Sequence, residues 1–281
     1  MITRFDHVVI AVQDLDAALA DYTRLGFEVS AGGRHPALGT RNAIVRFGLD
    51  YLELLAIEDQ DVARARGAFG VDLAEFLAAG SGLVGFALAS AGLEDEARGL
   101  TRIALAAEGP FAMERQRPDG RTLAWRLVLP GASPWRKPWP FLIEWSSADA
   151  ERLRWDPVGA HVNGVCGVRA IDLLVANGSE AMRLYEGAWG LTADRLDKSA
   201  SARSYQLGRF VLHVHTSADD ATRRELERRG PGPWRVQLAT PSLAASAAWL
   251  QRAGVVCESG AGYIDIAPAE AHGARLRLVT V

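Results

Sequence analysis

The residues of this chain that could do chemistry are few, and two of them stand where their type is unwelcome. Glu53 sits in Tyr51-Leu52-Glu53-Leu54-Leu55 and Glu144 in Phe141-Leu142-Ile143-Glu144-Trp145, each a lone carboxylate among large apolar residues. A carboxylate buried in such a run is costly unless it is paired, hydrogen-bonded or bound to a cation. His7 stands one residue before the apolar run Val8-Val9-Ile10-Ala11-Val12. If these three side chains converge in one cavity, a divalent metal would relieve the repulsion between the carboxylates. One nitrogen and two oxygens make a mixed donor set that admits Mn, Fe, Co, Ni, Zn or Mg. For either glutamate alone, an exposed position on an alternating strand is the commoner outcome. Their matched placement within two copies of a repeat favours a shared site.

That repeat organises the chain. Val8–Val12 reads as a strand. Asp14 follows as an N-cap, then Leu15, Ala18, Leu19, Tyr22 and Leu25 at helical spacing, and Gly26 as the stop. The same sequence of signals recurs from Ile171, with Ser179 as cap and Gly190 as stop, and from Val236, with Ser242 and Gly254. A weaker copy starts at Phe86 and lacks the closing glycine. Copies beginning near 8, 86, 171 and 236 are too far apart for a solenoid and suit a unit of one strand, one helix and three further strands. Such a βαβββ unit leaves one sheet face uncovered, so the units should pair. The expected fold is therefore α+β: four βαβββ modules paired into two open, barrel-like mixed sheets with helices outside. The spacing predicts a first domain over 1–146, a linker over 147–165 rich in Trp, Pro and Gly, and a second domain over 166–281. Gln60–Gly80 reads as a helix linking the first two modules.

Composition narrows the function classes. Of 281 residues, 31 are Lys or Arg and 34 are Asp or Glu, for a net charge of -3, which argues against a nucleic-acid partner. The two cysteines, Cys166 and Cys257, are too few and too far apart for a disulfide scaffold or a zinc module. No apolar run is long enough to span a membrane, and Asp6 and His7 interrupt any leader peptide, so a cytoplasmic protein is expected. With the pairing of modules satisfied inside one chain, it would be a monomer or a homodimer.

The first half also resembles the vicinal oxygen chelate superfamily, and within it the glyoxalase-like branch that includes bleomycin-resistance and dioxygenase-like proteins. The resemblance rests on Asp6–Val12 with Asp14–Ala18, Leu25-Gly26-Phe27, Gly32-Gly33-Arg34-His35-Pro36, Gly39-Thr40-Arg41-Asn42 and Tyr51–Leu55. In the second module it rests on Arg117-Pro118-Asp119-Gly120, Trp125 and Pro140–Trp145. The resemblance implies metal ligands on the first and last strands of two paired modules. Carried over by position, these are His7 and Glu53, then Glu144. The fourth position falls near Gly85, where no ligand stands, which leaves three protein ligands at most.

Glu53 and Glu144 are then the candidate catalytic carboxylates. Arg34 and His35 on a glycine-containing loop, Asn42, Arg117, Trp125 and Trp145 are candidate substrate contacts, with Phe141 as a further wall residue. The expected activity is that of a metal-dependent lyase or isomerase on a small oxygenated molecule. The alternatives are a metal-free protein that sequesters a small ligand, as in bleomycin resistance, and a non-haem dioxygenase. The second half reads as structural, since its matching positions hold Ala170, Arg235, His213 and Arg277. His213 and His215 alternate on one strand, and His161 reads as a turn residue. The run Arg223–Arg229 reads as a solvated helix face and Lys198–Ser201 as a polar loop.

Overall fold

The computed structural model describes residues 1–194, 202–216 and 219–281. The first half runs β1 (Ile2–Ala11), α1 (Leu15–Arg24), β2 (Ser30–His35), β3 (Thr40–Arg46), β4 (Tyr51–Ile57), α2 (Gln60–Arg64), α3 (Ala68–Ala78), β5 (Gly82–Ser90), α4 (Leu93–Arg102), β6 (Ala107–Gln116), β7 (Thr122–Pro130) and β8 (Phe141–Trp145). A short helix, α5 (Asp149–Trp155), follows. The second half runs β9 (Gly167–Val175), α6 (Gly178–Met182), β10 (Ala193–Asp194), β11 (Ala202–Leu207), β12 (Phe210–Thr216), α7 (Asp220–Arg229), β13 (Gly232–Thr240), α8 (Leu243–Arg252), β14 (Cys257–Gly260), β15 (Tyr263–Ile266) and β16 (Leu276–Thr280). The α+β class and the paired βαβββ plan are those expected. The polar loop at Lys198–Ser201 lies outside the described residues.

The two halves differ in closure. In the second, the strands form an open sheet in the order β10-β11-β12-β9-β13-β16-β15-β14. In the first, the order β1-β4-β3-β2-β6-β7-β8-β5 closes on itself as a barrel. Closure occurs where β2 meets β6 at the pair Arg34 and Gln116. The segment expected as a glycine loop is thus a strand. Its glycines are there for close approach: a β-carbon at Gly32 would lie 2.1 Å from Asn42 Oδ1, and one at Gly33 would lie 2.1 Å from the Gln116 carbonyl oxygen. A bulge between Ala31 and Gly33 lets β2 pass between its neighbours.

Local signals explain most of the helices. The Asp14 side chain accepts from the Asp16 and Ala17 amides, and Ser242 accepts from Ala245, as N-caps should. In the third module the cap is Asn177 rather than Ser179, so its helix starts earlier and widens into a π-helical turn at Arg183–Ala188. The expected linking helix is broken at Gly67 into α2 and α3. The connecting segment 147–165 is folded onto the first barrel through α5, whose Arg152 is buried, and through His161. That imidazole accepts from the Glu28 amide through Nδ1 and lies 2.9 Å from the Arg46 carbonyl through Nε2. One hydrophobic core is shared by both halves, with Phe5 stacked on Phe210 at 4.3 Å. A second apolar cluster, including Val9, Leu55, Trp125, Trp135 and Phe141, lies inside the barrel. Among the described residues no helix is long and apolar enough to cross a membrane.

Candidate functional site

The barrel encloses a cavity of about 570 Å³, counting its open mouth. That is within the size range of small-molecule sites. Side chains reach it at every second strand position, as the pleat requires: Thr40 and Asn42 from β3, Tyr51, Glu53 and Leu55 from β4, Met113 and Arg115 from β6, Trp125 and Leu127 from β7, and Phe141, Ile143 and Trp145 from β8. Module one contributes the polar pole. Module two contributes an aromatic wall, with Trp135 from the loop before β8.

At the polar pole, a register shift in β1 between Phe5 and His7 disturbs the strand's alternation, and the consecutive residues Asp6 and His7 join one polar cluster. His7 is buried, stacks on Tyr51 at 4.6 Å, and meets the edge of Phe141. Its Nδ1 lies 2.8 Å from Asp6 Oδ1, and its Nε2 lies 3.5 Å from Glu53 Oε2. The other Glu53 oxygen, Oε1, accepts from Asn42 Nδ2 at 2.5 Å. Asp6 has no exposed surface and also accepts from Arg4 Nη1 at 2.7 Å and from the Trp145 indole at 3.0 Å. Burial pushes the Asp6 carboxyl up. The hydrogen bond from His7 and the charges of Arg152, His7 and Arg4 together outweigh that and hold it well below the carboxylate range. Asp6 is therefore an ionised acceptor, to which His7 Nδ1 donates. Nε2 then faces a Glu53 oxygen, a contact that a proton or a cation between them makes favourable.

Two further groups line the cavity. His35 is buried against the edge of Trp125, with Nδ1 3.0 Å from Thr40 Oγ1. Burial lowers its pKa to about 4, so it is a neutral ring at physiological pH. Arg115 is buried, and burial lowers its proton affinity. It reaches Asp156 at 2.8 Å, a carboxylate that Arg117 and Arg46 also share.

The structure does not bring all the sequence-derived candidates together. His7, Glu53, His35, Asn42, Trp125 and Trp145 line the cavity. Glu144 does not: Phe141, Ile143 and Trp145 face inward, so Glu144 takes the opposite face of β8 and pairs with Arg126. The reading of Glu144 as a metal ligand and catalytic carboxylate is corrected by that alternation. Arg34 projects to the surface and pairs with Glu58 at 2.9 Å, and Arg117 is held by Asp156 and the Trp155 carbonyl. Neither is a cavity contact. Sequence reasoning missed Asp6, Tyr51, Thr40, Arg115 and Trp135. Tyr51 and Arg115 were accessible, because each shares a strand face with another wall residue.

The residues present do not complete the three-ligand metal centre expected. At Gly85 an added β-carbon would lie 3.0 Å from Trp135 Cε3, so the indole occupies the space into which a ligand from β5 would project. Every inward position of β8 is apolar or aromatic. Among the described residues no group of three His, Cys, Asp or Glu side chains could hold a metal.

The inner face of the second sheet is built on Asp172 instead. This buried carboxylate lies 2.8 Å from His215 Nε2 and accepts from Arg235 and Gln237 at 2.9 Å. His213 pairs with Ser204 at 2.7 Å and Arg277 with Asp265 at 2.6 Å, so the two histidines serve different partners.

A family model described as a glyoxalase-like domain matches residues 5–189. A comparison with curated proteins finds no match. Among solved structures, a hypothetical protein from Staphylococcus aureus is similar over 99% of both chains, with 14% identity and a TM-score of 0.72. The Mn(II)-bound glyoxalase from Novosphingobium aromaticivorans is similar over 99% of this chain and 82% of its own, with 12% identity and a TM-score of 0.62. A mutant of 4-hydroxymandelate synthase from Streptomyces coelicolor covers 99% and 92%, with 11% identity and a TM-score of 0.59.

Proposed function

This chain belongs to the glyoxalase-like domain family of the vicinal oxygen chelate superfamily, and on that premise we propose that its barrel is a proton-transfer site for a small carbonyl compound with an aromatic or apolar body. The observation that carries this reading is the line Asp6–His7–Glu53, with contacts of 2.8 and 3.5 Å, facing an aromatic wall. The proton that the last contact requires is the one the site would move. Glu53, oriented by Asn42, takes a proton from the carbon next to the substrate carbonyl. His7, oriented by Asp6, holds a proton at Nε2 for return to another atom. Arg115 supplies a fixed positive charge in the same cavity, which favours charge developing on the carbonyl oxygen. The aromatic side chains of module two hold the apolar body and exclude water. The reaction type is isomerase or lyase.

The test is α-proton exchange. Aromatic 2-oxo and dicarbonyl compounds are incubated with the protein in D2O with and without chelator, and loss of the α-proton signal is followed by NMR. The proposal expects exchange above the buffer rate that survives chelator and disappears in Glu53→Gln, with folding of the variant checked by circular dichroism. No exchange with any of these compounds, or equal exchange in the variant, would sink it.

A second reading is favoured by the same contact. His7 Nε2 and Glu53 Oε2 face one another, and an orienting carboxylate on the distal ring nitrogen is the usual support of a metal-bound histidine. These two residues would then hold a divalent cation acting as a Lewis acid. Exchange abolished by chelator and restored by one metal ion would favour that reading.

A further inference from the structure

The junction between the two halves carries a concentration of positive charge that the barrel site does not use. A crevice of about 620 Å³, counting open solvent, is lined by Arg136, Arg228, Arg229 and Arg275, with Trp234 and a single carboxylate, Glu225. The chain as a whole is slightly acidic, at -3, so four guanidinium groups around one carboxylate are a local feature and not a reflection of composition.

The bonding of each group shows what remains free. Arg136, from the loop between β7 and β8, is half-buried and spends its donors on backbone: Nε donates to the Arg229 carbonyl at 2.8 Å, Nη1 to Pro233 at 2.7 Å, and Nη2 to Gly230. It clamps the C-terminal end of α7 to the first half, where a cation also complements the helix dipole. No carboxylate pairs with it among the described residues. Arg229 donates to the Ser81 carbonyl at 2.9 Å, and its buried Nε lies 3.9 Å from Glu225 with no hydrogen-bond partner. Arg228 lies 2.7 Å from the same Glu225. Arg275 is exposed, sits 5.5 Å from the Trp234 ring centre, and has no carboxylate partner among the described residues. Glu225 thus pairs with two of the four cations and leaves Arg136 and Arg275 without a carboxylate partner among the described residues.

The cations act on one another. Burial lowers the proton affinity of Arg136 to about 10. Glu225 opposes this, and the neighbouring Arg229 and Arg228 lower it further. Burial likewise lowers that of Arg229, to which Arg228 and Arg275 add. Like charges held together at a partly buried junction outnumber the one carboxylate beside them, and a bound anion would relieve their repulsion.

We propose that this crevice binds one small, multiply charged anion, a phosphate or polycarboxylate compound, between the exposed heads of Arg228 and Arg275. The site lies at the seam of the two halves, apart from the barrel cavity. Arg136 and Arg229 contribute fixed charge, and Trp234 provides an apolar side wall. Guanidinium groups suit both oxyanion classes through charge-assisted hydrogen bonds.

The experiment is isothermal titration of the full chain at low ionic strength with inorganic pyrophosphate and, separately, with citrate. It is repeated at higher potassium chloride and with Arg228→Ala and Arg275→Ala. Both substitutions are at exposed heads, away from the Arg136 clamp, and folding is checked by circular dichroism. The expected result is saturable binding of one anion per chain, weakened by salt and at least about tenfold weaker in each variant, as loss of a charged hydrogen bond implies. The tighter of the two anions identifies the oxyanion class. Failure of both to bind, or binding unchanged in both variants, would overturn the proposal. Either result leaves the barrel reading standing, because no barrel residue is altered.

Discussion

Acid should destabilise this protein through His35 before most of its carboxylates titrate. The ring is 5% exposed and lies in the barrel between Thr40 and Trp125. Burial takes its pKa from 6.5 to about 4, with Arg115 and His7 lowering it further and Glu53 opposing them. Above 6.5 the ring is neutral in both folded and unfolded chains and the pH dependence is flat. Between 6.5 and about 4 the unfolded chain takes a proton that the folded chain refuses, so stability falls with pH. Below about 4 both forms are protonated and the loss is complete. At about 1.4 kcal/mol per pH unit, the full loss is about 3 kcal/mol, a large part of the stability of an ordinary domain.

His161 and His213 are also lowered by burial and add in the same direction, while Asp50, raised by burial, acts oppositely. Asp6 and Asp172 are depressed carboxylates, whose losses come mainly at lower pH, as their unfolded forms titrate near 3.8. The assay therefore compares two proteins rather than two pH values. Urea unfolding is measured from pH 7.5 to 4.5 for the wild type and for His35→Asn, in which the amide keeps a polar partner for Thr40. The wild type should lose about 2.5 kcal/mol more than the variant over this range. Parallel curves would refute the argument that His35 is buried and neutral.

Two further outcomes follow from the packing and pairing around the barrel. Gly85→Ala should cost about 1–3 kcal/mol in urea unfolding, because the new methyl meets Trp135 Cε3 at 3.0 Å and the Pro134 carbonyl oxygen at 3.1 Å. Glu144→Gln should cost less than about 1 kcal/mol and leave α-proton exchange unchanged, because its carboxylate pairs with Arg126 on the outer face; loss of exchange would restore Glu144 to the site.

Much of the architecture was legible because its signals are local. The spacing from Val8 to Gly26 and its recurrences, with caps at Asp14 and Ser242, expose the modules without any knowledge of their pairing. Glu53 was legible as an anomaly, a carboxylate at an inward strand position. Glu144 has the same local appearance and the opposite orientation. A one-residue difference in phase moves a strand side chain to the other face, and nothing inside Phe141–Trp145 fixes that phase. The phase follows from the pairing of β8 with β5, Ala87 opposite Phe141, and with β7, Trp125 opposite Trp145. Asp6 was hidden for a related reason, because a register shift beside it disturbs the simple alternation. The Arg34–His35 segment read as a loop because glycines commonly mark turns, whereas here they permit strands to close a barrel. The charge excess at Arg136, Arg228, Arg229 and Arg275 comes from segments far apart in sequence and exists only once the halves are docked.

The most direct test of the account is the metal content of the protein. Its central claim is that module one supplies the proton-transfer pair, with His7 and Glu53 facing one another and no third protein ligand from module two. Protein purified without chelator, loaded in turn with Mn, Fe, Co, Ni and Zn and then dialysed, is measured by elemental mass spectrometry beside His7→Ala and Glu53→Gln. The account predicts a content well below one metal per chain, equal in all three proteins, since two donors fall short of the usual three protein ligands. About one metal per wild-type chain, lost in both variants, would contradict it and make His7 and Glu53 the ligands of a cation.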